Sequence, residues 1–144
     1  MSISCDMLVF GGTGDLALHK LIPALYYLHR EHRLHDDVRI LAIARQDIDR
    51  NAYLALAERH IRAQIARTDF EAEIWNAFSQ RLDYFPMDAT QRGEYIRLAH
   101  HLGEAEGRVR VHYLATAPNL FEPIASNLES AGLAGEEARI VLEK

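Results

Sequence analysis

Residues 7–17 read Met-Leu-Val-Phe-Gly-Gly-Thr-Gly-Asp-Leu-Ala, and this stretch decides the fold. Its first four residues form a continuous apolar run, which is typical of a β-strand covered on both faces. The pattern G-x-G-x-x-A follows at Gly12, Gly14 and Ala17, directly before a segment with helical periodicity. The stretch therefore predicts a strand, a tight turn and a helix in immediate succession.

Apolar runs and segments with helical periodicity alternate along the whole chain. The runs are 7–10, 38–44, 82–87, 109–115 and 139–142, and the helical segments are 15–32, 51–81, 90–102 and 118–131. Such alternation predicts right-handed crossovers between parallel strands. We therefore predict an α/β fold, a Rossmann-type doubly wound parallel sheet with three αβα layers. In the strand order 3-2-1-4-5, ligands bind beyond the carboxyl ends of the strands, near the switch point between strands 1 and 4.

The glycine-rich turn fits the requirements of a bound dinucleotide. We expect Gly12 to adopt unusual backbone angles in a tight turn, and Gly14 to let a pyrophosphate approach the backbone. The small side chain of Ala17 would let the helix pack closely on the strand, while amides at the helix start hold the phosphates. Thr13 could add a hydroxyl donor.

Two alternatives exist for this turn. It could be a tight strand-to-helix connection without a ligand, as occurs in many α/β proteins. A mononucleotide P-loop is disfavoured because G-x-x-x-x-G-K-[ST] is absent, and Lys20 follows Gly14 by six residues. The position of the turn after the first strand favours dinucleotide binding.

The end of the second run bears on the choice between NAD and NADP. An NAD site usually has an acidic residue there, whereas an NADP site has an arginine for the 2′-phosphate. This chain has Arg45 followed by Gln46, and the planar guanidinium suits a phosphate. The alternative is a solvated loop arginine. Asp47 and Asp49 are better explained as acidic residues at the start of the next helix.

Composition excludes several classes of protein. The chain has 144 residues, a formal net charge of −5 and a single cysteine, Cys5. The acidic balance and scattered basic residues argue against a nucleic acid or anionic membrane partner. The uncharged stretch 21–28 is far too short to span a bilayer, and we see no signal peptide at the start of the chain. A lone cysteine fits a reducing, cytoplasmic location.

Several motifs together resemble one family. They are Gly-Gly-Thr-Gly-Asp-Leu-Ala with Lys20 and Pro23 downstream, Ala-Arg at 44–45, Tyr-Leu-Ala-Thr-Ala-Pro at 113–118, and Val-Leu-Glu-Lys at 141–144. In this order they are similar to glucose-6-phosphate dehydrogenase. The resemblance covers the whole chain, but only the cofactor-binding part of that enzyme.

The resemblance implies a role for each matching residue. Arg45 would hold the 2′-phosphate of NADP, Asp88 would lie toward the adenosine, and residues 115–118 would form the wall beside the nicotinamide ribose. Lys20 and Lys144 would lie near glucose 6-phosphate. No catalytic base and no metal site are expected in this chain. The cofactor-binding residues implied are Gly11, Gly12, Thr13, Gly14, Asp15, Leu16, Ala17, Leu18, Arg45, Asp88 and Lys144.

The chain also departs from the family pattern. Leu18 and His19 stand where basic residues are usual, and Phe121 stands where a tyrosine sometimes occurs. The family would continue after Lys144 with Pro-Phe-Gly and a large second domain that carries the catalytic His-Asp pair. We therefore expect residues 1–144 to be an NADP-binding domain without its substrate domain. We expect this fragment to be inactive alone, and the full-length enzyme to be a homo-oligomer.

The implied function is oxidation of glucose 6-phosphate to 6-phosphogluconolactone with hydride transfer to NADP, the first step of the pentose phosphate pathway. One alternative is another sugar oxidoreductase with a Glu-Lys-Pro segment, against which Asp-Leu-Ala at 15–17 argues. A second is a regulatory module that binds NADP without catalysis. Such modules usually have a further glycine where Ala17 stands.

Histidines offer other candidate sites. His29, His32 and His35 recur every three residues, but this spacing drifts around a helix and does not favour a metal site. Cations near a helix C-terminus explain these residues better. His112 falls within an apolar run and is expected to be a packed or edge histidine and not a catalytic base. Trp75 and Phe78 are expected to pack on the sheet.

Overall fold

The computed structural model describes residues 4–103 and 107–142. Within these residues, one parallel sheet has the strand order β3-β2-β1-β4-β5, which confirms the predicted order. The strands are β1 (Ser4–Phe10), β2 (Val38–Ala44), β3 (Leu82–Pro86), β4 (Arg108–Leu114) and β5 (Ala138–Leu142). Each predicted strand is present, with ends shifted by up to three residues.

The connections between strands are helical, as expected. The main helices are α1 (Ile22–Arg30), α2 (Arg50–Gln64), α3 (Ala72–Ser79), α4 (Glu94–Leu102) and α5 (Phe121–Ser130). Two predicted segments are less regular than their periodicity indicated. A π-helical turn, Ala17–Leu21, precedes α1, and the segment 51–81 is divided between α2 and α3 by a short 3-10 turn at Arg67–Asp69. Packing explains that break, because the ring of Phe70 stacks on the ring of Tyr26.

Residues that alternate along the strands form two separate cores. On one face, Val9 and Ala42 belong to a cluster that includes Tyr26, Tyr53 and Phe78 from α1, α2 and α3. On the other face, Phe10 and Ile43 belong to a cluster with residues of α4 and α5. The sheet is thus covered on both faces, which confirms the three-layer fold and explains why the first apolar run is continuous.

The last helix illustrates how local sequence sets an element's end. Ile124 and Leu128 are fully buried on the apolar face of α5. Gly132 adopts a φ of +75° just beyond the helix, and the N–H of Leu133 donates to the carbonyl of Leu128. This left-handed glycine closes the helix at the end of the predicted segment 118–131.

Among the residues that the structure describes, no helix combines the length and apolar character needed to cross a membrane. His112 is fully buried, and one ring nitrogen contacts the carbonyl of Leu133 at 2.8 Å. Trp75 and Phe78 are also buried. The predictions that these three side chains are packed residues are confirmed.

Candidate dinucleotide site

A cleft of about 440 Å³ opens at the carboxyl ends of the four strands β1 to β4. It lies where an open α/β sheet places its ligands, at the point where the strand order reverses. Its volume falls within the range of small-molecule sites. The loops that follow the four strands contribute, among others, Gly14, Arg45, Asp88 and Ala115. Residues that are far apart in sequence therefore meet as the motifs predicted.

The first two glycines meet structural needs of the turn. Gly11 has a φ of +84°, and a Cβ there would lie 2.5 Å from the carbonyl oxygen of Ala115. Our prediction assigned the unusual backbone angles to Gly12, and it is wrong because the left-handed residue is Gly11. Gly12 is instead required by close packing, since a Cβ there would lie 2.7 Å from the Cβ of Ala42.

Gly14 has a different environment from the other two glycines. A Cβ at Gly14 would contact only the carbonyl oxygen of Gly11, at 3.3 Å. Gly14 is exposed at the cleft. A glycine that the fold itself does not demand, at the point where a ligand would approach the backbone, fits a pyrophosphate cradle.

The backbone amides at the start of the following helix come directly after Gly14. The N–H groups of Gly11 and Gly12 donate to the carbonyl of Ile43, and that of Leu18 donates to the carbonyl of Gly14. The N–H groups of residues 15–17 belong to the first turn of the helix. In that turn, N–H groups have no carbonyl partner within the helix. These amides, at the positive end of the helix dipole, are suited to a phosphate.

The side chains of this turn divide between core and solvent. Ala17 and Leu18 are buried in the core, Leu16 is half-buried, and Asp15 is exposed. The side chain of Leu18 cannot contact a ligand in the cleft, and its N–H is already bonded. Neither the side chain nor the N–H of Leu18 is therefore available for the predicted contact with a cofactor.

Two lysines were predicted to lie near a sugar phosphate. Lys20 is exposed on the π-helical turn and does not line the cleft. Lys144, predicted to contact both cofactor and substrate, lies outside the described residues.

Arg45 and Gln46 form the outer edge of the cleft after β2. Arg45 is exposed and lines the cleft. The hydroxyl of Thr13 donates to the side-chain oxygen of Gln46 at 2.7 Å, which links this edge to the glycine-rich turn. The cleft thus has a cationic side chain at an edge that Gln46 links to the glycine-rich turn.

Asp88 lies after β3, near Arg45. Its carboxylate accepts hydrogen bonds from the hydroxyl and the N–H of Thr90, at 2.6 and 2.9 Å. These two bonds, with a further contribution from the charge of Arg45, lower the pKa of Asp88. The carboxylate is therefore ionised at neutral pH and can accept hydrogen bonds from ligand hydroxyls.

Sequence reasoning missed two residues that support the cleft. The hydroxyl of Tyr53 donates to the carbonyl of Gly12, and the hydroxyl of Tyr84 donates to the carbonyl of Gln46. Tyr84 falls within the predicted strand 82–87 and Tyr53 within the predicted helical segment 51–81, and these patterns do not indicate a bond to a loop. No motif in the sequence marks a tyrosine whose hydroxyl holds a distant loop.

The fold and the cleft together define a dinucleotide-binding domain of the Rossmann type. The family model "Glucose-6-phosphate dehydrogenase, NAD binding domain" matches residues 8–144. The chain therefore belongs to the glucose-6-phosphate dehydrogenase family, as the motifs predicted, and a nicotinamide dinucleotide is the cofactor class of this domain. The family match decides against the other families that the sequence left open.

Relatives and solved structures agree with this assignment. The chain is 37% identical to glucose-6-phosphate 1-dehydrogenase of Mycolicibacterium smegmatis over 97% of its length, and 38% identical to that of Gluconobacter oxydans over 96%. It spans 29% of the length of each of these relatives. A crystal structure of the Mycobacterium avium enzyme matches with a TM-score of 0.89 and 34% identity, over 100% of this chain and 30% of that one. A glucose-6-phosphate dehydrogenase in complex with its substrate, 23% identical with a TM-score of 0.83 over 98% of this chain and 30% of that one, supports the fold.

Proposed function

We propose that residues 1–144 form the NADP-binding domain of a glucose-6-phosphate 1-dehydrogenase. The complete enzyme would oxidise glucose 6-phosphate to 6-phosphogluconolactone and transfer the hydride to NADP, in the first step of the pentose phosphate pathway. The relatives that carry this name are more than three times as long as this chain, which spans 29% of their length. Most of the substrate contacts and the general base belong, in this proposal, to a second domain.

The observation that carries the choice of NADP is the place of Arg45. It follows β2 directly, it is exposed, and it lines the same cleft as Gly14 and Thr13. NADP differs from NAD only in the 2′-phosphate of its adenosine ribose, and an arginine at this position can form a charge-assisted bond with that group. Asp47, the nearest acidic residue along the chain, is not among the residues that line the cleft.

The residues around the cleft fit a bound dinucleotide. Gly14 leaves room for the pyrophosphate beside the amides of residues 15–17, and Asp88 can accept a hydrogen bond on the adenosine side. When bound, the nicotinamide supplies the hydride acceptor. Lys20, and Lys144 beyond the described residues, are proposed to face the phosphorylated sugar.

Two further parts of the proposal concern the protein's surroundings. The single cysteine supports a reducing, cytoplasmic location, and the net charge of −5 supports a small-molecule partner over a nucleic acid. The apolar residues Ile140, Val141 and Leu142 of β5 are 40, 39 and 48% exposed. An exposed apolar edge of this kind supports contact with further protein, including the proposed homo-oligomer.

The test is a titration of the chain and of Arg45→Ala with NADP and with NAD. Loss of one charge-assisted contact should weaken NADP binding by about ten- to a hundredfold and leave NAD binding unchanged. Arg33→Ala is the matched control, because Arg33 is an exposed arginine outside the cleft that pairs with Glu31 at the surface. Equal weakening for the two cofactors would contradict the assignment.

A further inference from the structure

Two tyrosines are stacked beneath the cleft. Tyr53 of α2 is fully buried, and Tyr84 of β3 is 5% exposed. Their ring centroids are 4.9 Å apart, with an angle of 15° between the ring planes. The contact joins the helix that follows β2 to the neighbouring strand, so the two rings form one rigid unit below the two loops.

Each hydroxyl of this pair bonds a different loop. The O–H of Tyr53 donates to the carbonyl of Gly12 at 2.8 Å, and the O–H of Tyr84 donates to the carbonyl of Gln46 at 2.6 Å. Burial raises the pKa of both hydroxyls, and each is raised further by a neighbour, Tyr84 for Tyr53 and Asp47 for Tyr84. Both hydroxyls therefore stay protonated and act as donors.

Gln46 accepts hydrogen bonds on both its backbone and its side chain. Its carbonyl accepts hydrogen bonds from Tyr84 and from the N–H of Ile48, while its side chain accepts one from the hydroxyl of Thr13. The peptide unit between Gln46 and Asp47 and the side chain of Gln46, the residue directly after Arg45, are thus both held by hydrogen bonds. Because Arg45 directly precedes Gln46, we expect this anchoring to limit the positions that Arg45 can take.

We propose that Tyr84 is a specificity-determining positioning residue, which sets the preference for NADP over NAD by holding the loop that carries Arg45. The inference rests on the proposed function, because it needs Arg45 to bind the 2′-phosphate. Tyr53 serves the other loop. It holds the glycine-rich turn, which meets the pyrophosphate that NADP and NAD have in common.

In this proposal Tyr84 affects the preference for NADP over NAD, whereas Tyr53 affects the affinity for both cofactors. A misplaced Arg45 affects only a ligand that carries a 2′-phosphate, whereas a displaced glycine-rich turn affects both cofactors. Loss of one hydroxyl donor should change the affinity that depends on it by about three- to tenfold. The two tyrosines should therefore differ in the ratio of the NADP and NAD dissociation constants.

The experiment compares Tyr84→Phe, Tyr53→Phe and Tyr26→Phe in the 144-residue chain. Tyr26 is a matched control, because it is fully buried and its hydroxyl donates to a backbone carbonyl, that of Asp69, outside the cleft. Dissociation constants for NADP and NAD are measured by calorimetry at a temperature where circular dichroism shows every variant folded. Tyr84→Phe is also made in the Arg45→Ala background.

Tyr84→Phe is expected to weaken NADP about three- to tenfold without changing NAD. Tyr53→Phe should weaken both equally, and Tyr26→Phe should lower only the melting temperature. In the Arg45→Ala background, Tyr84→Phe should have no further effect on NADP, because it acts through Arg45.

The inference is overturned if Tyr84→Phe keeps the wild-type ratio of the two dissociation constants while wild type prefers NADP through Arg45. Tyr84 would then be a structural residue only. If the wild-type chain binds neither cofactor, or Arg45→Ala leaves its preference unchanged, the proposed function fails and the inference fails with it. The two failures are therefore distinguishable.

Discussion

The two ends of the sheet each carry a cavity lined by charged residues, but the charges are used in different ways. At the carboxyl end, the dinucleotide cleft measures about 440 Å³ and has Arg45 exposed at its edge. At the amino end, a cavity of about 480 Å³ is lined by several ionisable side chains. This amino-end cavity includes Asp6, Arg39, Arg50, Arg81, Asp83 and His101.

The charges of the amino-end cavity are bonded within the protein. Asp6 accepts hydrogen bonds from Arg39 and Arg108 at 2.8 and 2.9 Å. Arg50 donates to the carbonyls of Ser79 and Leu82, and Arg81 donates to three carbonyls of residues 34–38. The larger cavity thus has its charged groups committed to holding the strand ends. Volume alone does not identify a site, because a ligand needs polar groups that the fold leaves available.

The largest effect on cofactor binding is expected from filling the space at Gly14. Gly14→Val should abolish detectable binding of both NADP and NAD, because the side chain would occupy the volume where the pyrophosphate approaches the backbone. The fold should persist, since a Cβ there meets only one atom, at 3.3 Å. Binding is measured by calorimetry and folding by circular dichroism.

Gly93→Val is the matched control for this prediction. A Cβ at Gly93 would have no neighbour within 4 Å, and Gly93 does not line the cleft. This variant should bind the cofactors normally. A folded Gly14→Val that binds NADP as well as wild type would mean that the glycine-rich turn is only structural.

The second prediction removes a charge from the amino end. Asp6 is 3% exposed, and Arg108 and Arg110 beside it are also mostly buried, with Arg110 Nε 3.7 Å from the second carboxylate oxygen. Asp6→Asn leaves these arginines without a counter-charge. We expect the free energy of unfolding to fall by about 3 kcal/mol, while cofactor affinity stays unchanged. Urea unfolding and the NADP titration measure the two effects.

The pKa of Asp6 gives the same prediction a pH dependence. Burial alone would raise this pKa, but the bonds and charges of Arg39 and Arg108 outweigh it and lower the pKa. The stability that the carboxylate contributes is therefore present above its unfolded pKa and is lost as pH falls through the lowered value. The asparagine variant should lack this acid-dependent loss.

Asp36→Asn is the control, because Asp36 is fully exposed in its pair with Arg81. It should change stability by less than about 0.5 kcal/mol. The prediction is contradicted if Asp6→Asn changes stability as little as Asp36→Asn does, or if it weakens NADP binding at unchanged stability. The charges of the amino-end cavity would then not serve to stabilise the fold.

The same contrast shows what sequence could and could not predict. Strand order and the meeting of Gly14, Arg45 and Asp88 were predictable, because parallel strands in alternation bring successive strand ends to one edge. The left-handed conformation of Gly11 was not predictable, because it depends on the close approach of Ala115, which is distant in the sequence.

The amino-end cluster was missed for a related reason. Asp6 and Arg108 are bonded although they are 102 residues apart, and each alone reads as an ordinary charged residue at a strand start. The hydroxyl bonds of Tyr53 and Tyr84 were unpredictable for the same reason, because they span 41 and 38 residues. Local periodicity predicts that a residue is buried, but not which distant polar group it meets.

The smallest expected effect lies between the two ends, at His112. Burial lowers the pKa of this imidazole and Arg110 lowers it further, although the bond to the carbonyl of Leu133 opposes the shift. Below pH about 6.5, the unfolded chain binds a proton here that the folded chain does not. The free energy of unfolding should therefore decrease as pH falls from about 6.5 toward the lowered folded pKa, by at most about 1.4 kcal/mol per pH unit.

His112→Gln isolates this effect, because glutamine can still donate to the carbonyl of Leu133 but does not titrate. Urea unfolding at pH 7 and pH 5.5 should show wild type losing more stability than the variant, by no more than about 1.4 kcal/mol per pH unit. His29 and His60 also have lowered pKa values, but they are present in both proteins, so their contributions cancel in the comparison. Equal losses in the two proteins would mean that His112 does not resist protonation in the folded state, and that the core beside β4 accommodates a charge.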